Sequence, residues 1–138
     1  MVHRSLRPKL LLLLALSLVA LGCGSSRDLK SVAISPAAAN AKDFPNGQVA
    51  FTATGTFSKP PSPEKLTGMD VSWCVGDSQG RCVGNINPGI TVDSNGIASC
   101  VSTFSGTATV LAGKTKSVMM PDGGSQMGVF GSAQLTCP

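Results

Sequence analysis

The chain has 138 residues, 13% of them charged and 4% aromatic, with a formal net charge of +4. Three of its eleven basic residues, Arg4, Arg7 and Lys9, fall in the first nine positions, so from residue 23 onward eight Lys or Arg face seven Asp or Glu, a net of about +1. That remainder carries no basic cluster and few aromatics, which excludes a nucleic-acid face built from charge and stacking groups. His3 is the only histidine and tyrosine is absent. The first segment apart, no imidazole remains for a Ser-His-Asp or Cys-His nucleophile system, or for a histidine-bearing zinc or copper site.

The first segment sets the compartment. After the positive stretch, Leu10 to Gly22 is an apolar run broken only by Ser17. It is too short to span a hydrocarbon core, which takes about 20 residues, and it fits the hydrophobic part of a secretory signal. The run ends Val19-Ala20-Leu21-Gly22-Cys23, which resembles the lipobox of bacterial lipoproteins. The resemblance implies a signal peptide over 1–22, cleavage before Cys23, and a diacylglycerol thioether with an N-acyl chain of palmitate type on that cysteine. It also implies an extracytoplasmic, membrane-anchored protein of the cell envelope, sent to the outer membrane where two membranes exist, because Gly24 rather than Asp follows the cysteine. One acyl chain holds only marginally, at about 0.8 kcal/mol per buried methylene, while several make a lasting anchor. Residues 23–28, small and polar, read as a flexible tether, and residues 29–138 as one domain.

Hydrophobic periodicity in that domain is two. Ser31–Ser35 alternates and stops at Pro36. The run Gln48–Phe57 turns Val49, Phe51 and Ala53 one way and Thr52, Thr54 and Thr56 the other. Asp70–Val75 turns Val71, Trp73 and Val75 inward, which makes Trp73, the single tryptophan, the expected centre of the core. Residues 89–93, 96–100, 106–112 and 128–137 complete the strands, rich in Val, Ile, Thr and Phe as strands prefer. Turn signals fall between them: Pro45-Asn46-Gly47, Asp77-Ser78-Gln79-Gly80, Asn87-Pro88-Gly89 and Asp93-Ser94-Asn95-Gly96. Asn95-Gly96 is a hairpin cue because both residues tolerate positive φ. Pro60-Pro61-Ser62-Pro63 reads as a surface loop. Pro121-Asp122-Gly123-Gly124 reads as the middle of a long loop, and Pro36–Asn40 as a bend between edge-strand segments. About seven short strands of this kind predict an all-β antiparallel sandwich.

The ordered series Leu29–Pro36, Phe51–Phe57, Val71-Ser72-Trp73, Val92–Ala98 and Gly106–Val110 resembles the bacterial immunoglobulin-like domain, group 2, of the intimin and invasin stalk type. This resemblance implies an immunoglobulin-like fold and a spacer, adhesion or surface-binding role, and it brings no catalytic residues. The segment after the tryptophan, Cys74 to Asn87, is longer here and carries two cysteines.

Four cysteines follow Cys23, an even number that suggests two disulfides in an exported chain. No close C-x-x-C pair argues for zinc. Three pairings are possible. Cys74 and Cys82 flank a turn, while Cys137 ends the last strand and Cys100 lies just before the strand expected to pair with it, which brings both to one end of the sandwich, so we favour Cys74 with Cys82 and Cys100 with Cys137. Asp77, Asp93 and Asp122 sit in turns and Asp70 opens a strand; they read as caps for turn backbone, with calcium and acid–base work as alternatives. Met119, Met120 and Met127 read as packing, with copper(I) as the alternative. The threonine rows, Thr107 and Thr109 included, read as ordinary solvent-facing positions, with a glycan or protein partner as the alternative. The expectation is therefore a lipid-anchored, non-enzymatic structural or adhesive envelope module with no cofactor and no metal. The alternative is a glycan- or protein-binding accessory subunit of an envelope complex. An exposed Phe104 or Phe130 beside a groove would favour that alternative.

Overall fold

The computed structural model describes residues 26–83, 89–119, 121 and 123–138. Residues 1–25, Cys23 among them, residues 84–88 with the expected Asn87-Pro88 turn, Met120 and Asp122 lie outside the described residues. The strands are β1 (Leu29–Ser35), β2 (Ala38–Asn40), β3 (Gln48–Ala50), β4 (Thr52–Phe57), β5 (Glu64–Leu66), β6 (Ser72–Gly76), β7 (Arg81–Cys82), β8 (Ile90–Val92), β9 (Ile97–Cys100), β10 (Gly106–Met119) and β11 (Ser125–Cys137).

β3 and β4 are one extended run interrupted at Phe51. β1 and β5 pair with β4, β9 pairs with β3, and β8 pairs with β9. The second layer is β6–β10–β11. With short β2, β5 and β7 set aside, β1–β4/β3–β9–β8 faces β6–β10–β11, which is the strand arrangement of an immunoglobulin constant-type sandwich. Alternation fills the space between the layers. Val32, Ile34, Val49, Phe51, Ala53, Ile90 and Ala98 from the first layer meet Val110, Ala112, Ala133 and Leu135 from the second in one buried cluster. The chain changes layers at Pro36, where β1 ends and β2 begins a parallel pairing with β11 (Ala38 opposite Gln134, Asn40 opposite Thr136). A proline at that corner removes a ladder donor where the strand must leave its sheet.

Two expectations need correction. Trp73 is not the centre of the core. It is half-buried and packs at the core's margin, while Val49, Ile90, Ala98, Val110 and Leu135 are fully buried. An indole is large and carries one polar N–H, so a thin two-sheet core of small aliphatics accommodates it at the rim. Nor is the link between the last two strands long: β10 continues to Met119 and β11 starts at Ser125.

The extension of that hairpin has a physical cause. Leu111 points away from the main core, opposite Cys74 in the register, and its own sheet offers nothing to cover it. β7 supplies the cover. It pairs with β6 (Cys82 opposite Gly76) and with β11 (Cys82 opposite Ser125, Arg81 opposite Gln126), so β10, β6, β7 and β11 close into a ring. Inside are buried Leu111, Met127 and Cys82, with Cys74 and Phe130 packed against them. This second core also settles Met127 as a packing residue.

Leu111→Ala should cost roughly 2–5 kcal/mol, as truncations of fully buried leucines do. Urea unfolding followed by intrinsic fluorescence measures it. Hydrogen exchange should show the largest loss of protection in β7 and the outer part of the β10–β11 hairpin.

Candidate functional site

One groove stands out in the first layer, and the strand pattern explains it. Along the β3–β4 run the neighbour changes from β9, beside residues 48–50, to β5, beside residues 53–55. Between those two neighbours an open groove of about 360 Å³ remains. Phe51, Leu66 and Trp73 supply apolar lining, and Lys65, Thr67 and Asn95 supply polar lining. Ile97, another lining residue, is 38% exposed, and Met69, just beyond lining Gly68, is fully exposed. The groove offers an aromatic ring, one ammonium, hydroxyls and an amide, a set suited to contact. Among the described residues the lining includes no carboxylate and no nucleophile–base pair.

The turn bordering this groove is built by a carboxylate. Asp93 Oδ1 accepts the backbone N–H groups of Asn95 and Ile97, both at 2.8 Å, and Gly96 N–H donates to the Asp93 carbonyl at 3.1 Å. Only Gly96 takes positive φ, at 81°, while Asn95 does not. The hairpin is therefore a type I turn followed by a left-handed glycine rather than the mirror-image turn that Asn-Gly suggests. Gly96 is required for a second reason. A Cβ there would lie 2.6 Å from the Phe51 carbonyl oxygen and 2.7 Å from Trp73 Cζ2.

The same device recurs at Asp77-Ser78-Gln79-Gly80-Arg81. Asp77 Oδ1 accepts from Gln79 N–H at 2.9 Å and Arg81 N–H at 3.0 Å, its Oδ2 accepts from Arg81 Nε at 2.8 Å, and Gly80 N–H donates to the Asp77 carbonyl at 3.1 Å. Gly80 lies against the ring of Phe130. The Arg81 N–H bond holds the Asp77 carboxyl below its ordinary value of 3.8, helped by the Arg81 side chain and Gln79 and opposed by partial desolvation. The Ile97 N–H bond does the same for Asp93, with Asn95 assisting. Asp70 is exposed and Asp122 lies outside the described residues. Among the described residues no three His, Cys, Asp or Glu side chains converge to hold a metal ion.

The other flagged residues are also placed. Cys74 is joined to Cys82 and Cys100 to Cys137, with Cα–Cα distances of 5.6 and 5.8 Å. The first bridge laces the second core. The second ties β9 to the last residue of β11. Phe104 and Phe130 are half-buried, seated on Gly89 and Gly80, and neither lines the groove. Thr107 bonds to Thr136 and Thr109 to Gln134 across the β10–β11 pair. In the first layer Thr52 and Thr54 are half-buried and Thr56 is exposed.

A cluster that sequence reading passed over lies at the start of the domain. Arg27, within the segment read as tether, donates to the carbonyls of Lys59 (3.2 Å) and Pro61 and pairs with Glu64 at 2.6 Å. Its guanidinium lies 3.6 Å above the Phe57 ring. Asp28 exchanges bonds with Ser58: Ser58 N–H donates to the Asp28 carbonyl at 2.9 Å, and Asp28 N–H donates to Ser58 Oγ at 3.0 Å. The partners are some thirty residues apart, so no local pattern announces them.

No protein-family model matches the sequence, and no curated protein is significantly similar to it. The two disulfides indicate an extracytoplasmic location, where such bonds form and persist. Among the described residues no helix is long and apolar enough to cross a membrane.

Both turn carboxyls should titrate below 3.8 in an NMR pH titration. Their folded values lie below the unfolded ones, so their stabilisation is complete above ~pH 4 and is lost as pH falls through the folded values. The urea midpoint should fall less steeply below ~pH 4 in the double variant Asp77→Asn, Asp93→Asn than in the parent.

Proposed function

We propose that this chain is a bacterial lipoprotein, cut before Cys23 and held at an envelope membrane by lipid on that cysteine, whose domain serves as a non-enzymatic structural or adhesive module of the bacterial immunoglobulin-like group 2 type. The observation that carries this reading is the employment of the chemically capable side chains. Cys74, Cys82, Cys100 and Cys137 are spent on two bridges. Asp77 and Asp93 are spent on turn backbone, and Arg27 on fastening the start of the domain. A chain whose reactive groups hold its own fold together is suited to bearing load or displaying a surface. The lipobox-like end of the apolar run supports the anchor, and the sandwich arrangement supports the family resemblance.

A second reading, a glycan- or protein-binding accessory subunit, draws on the groove that Trp73 and exposed Ile97 line. The seating of Phe104 and Phe130 on glycines weighs toward the structural role, because these are the aromatics whose exposure would have marked a binding face.

Cys23→Ala should move the protein almost entirely from the membrane to the soluble fraction of broken cells, as follows when several acyl chains are lost. Continued sedimentation with membranes would reject the anchor. Capture with the tagged lipoprotein from detergent-solubilised envelopes separates the two roles. One co-purifying envelope protein supports assembly, and glycan enrichment supports the binding module.

A further inference from the structure

We propose that the end of the sandwich built by Arg27, Asp28 and the loop 58–63 lies against the head groups of the membrane to which the chain is anchored, so that the domain stands upright with its opposite end outward. This rests on lipid attachment at Cys23. The argument is one of length. Four residue steps separate Cys23 from Arg27, and an extended chain covers at most about 3.6 Å per step, or about 14 Å in all. A leash of this kind would still allow tumbling if its far end were loose, but Arg27 is bolted down. Its guanidinium bonds two carbonyls of the 58–63 loop and Glu64, and stacks on Phe57. Asp28 is tied to Ser58 on both sides. The point where the tether leaves the domain is therefore fixed at the edge of that loop.

The loop itself, Ser58 through Pro63, is exposed throughout. Lys59 lies on it, and exposed Lys30 stands beside Asp28 at 3.8 Å. Ammonium groups within a Debye length of lipid phosphates are attracted to them. Arg27 pairs with Glu64 and Lys30 with Asp28, so these acidic groups present no net negative charge to repel the head groups. The opposite end is well separated. β1 begins beside Phe57, while Asn46, Gly47, Cys100 and Pro138 come together around a small pocket at the other end of the β3–β4 run. Ten strand residues between them span roughly 30 Å.

The test uses the full lipoprotein, labelled with nitrogen-15, in lipid nanodiscs doped with a gadolinium-chelate head group. Amide signals of Ser58, Lys59 and Ser62 should be attenuated several-fold more than those of Asn46, Gly47 and Cys100. Insertion of about ten Gly and Ser residues after Gly24 should largely level the difference. Even attenuation, or stronger attenuation at Asn46 and Gly47, overturns the orientation, as does a gradient that the insertion leaves unchanged. Mass spectrometry and flotation of the same sample separate the two levels of failure. An unacylated Cys23 in a protein that does not float rejects the lipoprotein reading and this inference with it. An acylated, floating protein with even attenuation rejects this inference alone.

Discussion

A strand with apolar side chains on both faces has to be covered twice, and β10 is such a strand. Val110 and Ala112 point into the main core while Leu111, between them, points out. Leaving a leucine of this kind in water forfeits about 1.5–3 kcal/mol. The rest of the second layer follows from that debt. β6 must continue past the tryptophan into a turn, β7 must return along β6, and β11 must reach far enough to pair with β7. The Cys74–Cys82 bridge then fixes two strands of the ring to each other. The domain is one sandwich with a smaller ring grown on its outer face, and both share β10 and β11.

The two cores are finished by the same local chemistry. In each, the carboxylate of an Asp-Ser-x-Gly turn ties the backbone N–H groups two and four residues on, and the turn places its glycine under an aromatic ring, Trp73 at Gly96 and Phe130 at Gly80. A side chain on either glycine would meet the ring as well as a backbone conformation that L-residues resist. The aspartates are thus coupled to packing through the glycines three residues later, and the turn that borders the groove is as firmly set as the one over the ring.

Much of this was readable from residue order. Period-two alternation marked β1, β6, β8 and β9, and it marked the β3–β4 run without showing that Phe51 interrupts it. The bend at Pro36 was legible because proline ends a ladder, but it was expected to run to Asn40, and from Ala38 the chain already pairs as β2 with the distant β11. β5 and β7 were not: they have three and two residues, and such segments become strands only through partners that the sequence does not adjoin. The outer part of the β10–β11 hairpin was hidden for a related reason. Lys114, Thr115 and Lys116 look like the solvent side of a loop, and only the closure of the ring shows that they belong to a strand. The groove left no trace in the sequence, since it arises from a change of neighbours along one strand. The Arg27 cluster was illegible too, because an arginine in a short polar stretch carries no hint of carbonyls thirty residues on.

The crossing of β1 and β2 between layers has a mechanical corollary. Arg27 and Pro138 lie at opposite ends of the sandwich, so tension applied at one and resisted at the other runs lengthwise along β1. Six register pairs tie that strand to β4, and three more tie β2 to β11. Under such tension these rungs share the strain in shear instead of opening one after another like a zipper. Forced rupture is governed by the unfolding rate rather than by equilibrium stability, so the first strand is the element whose ladder sets how long the domain survives being pulled.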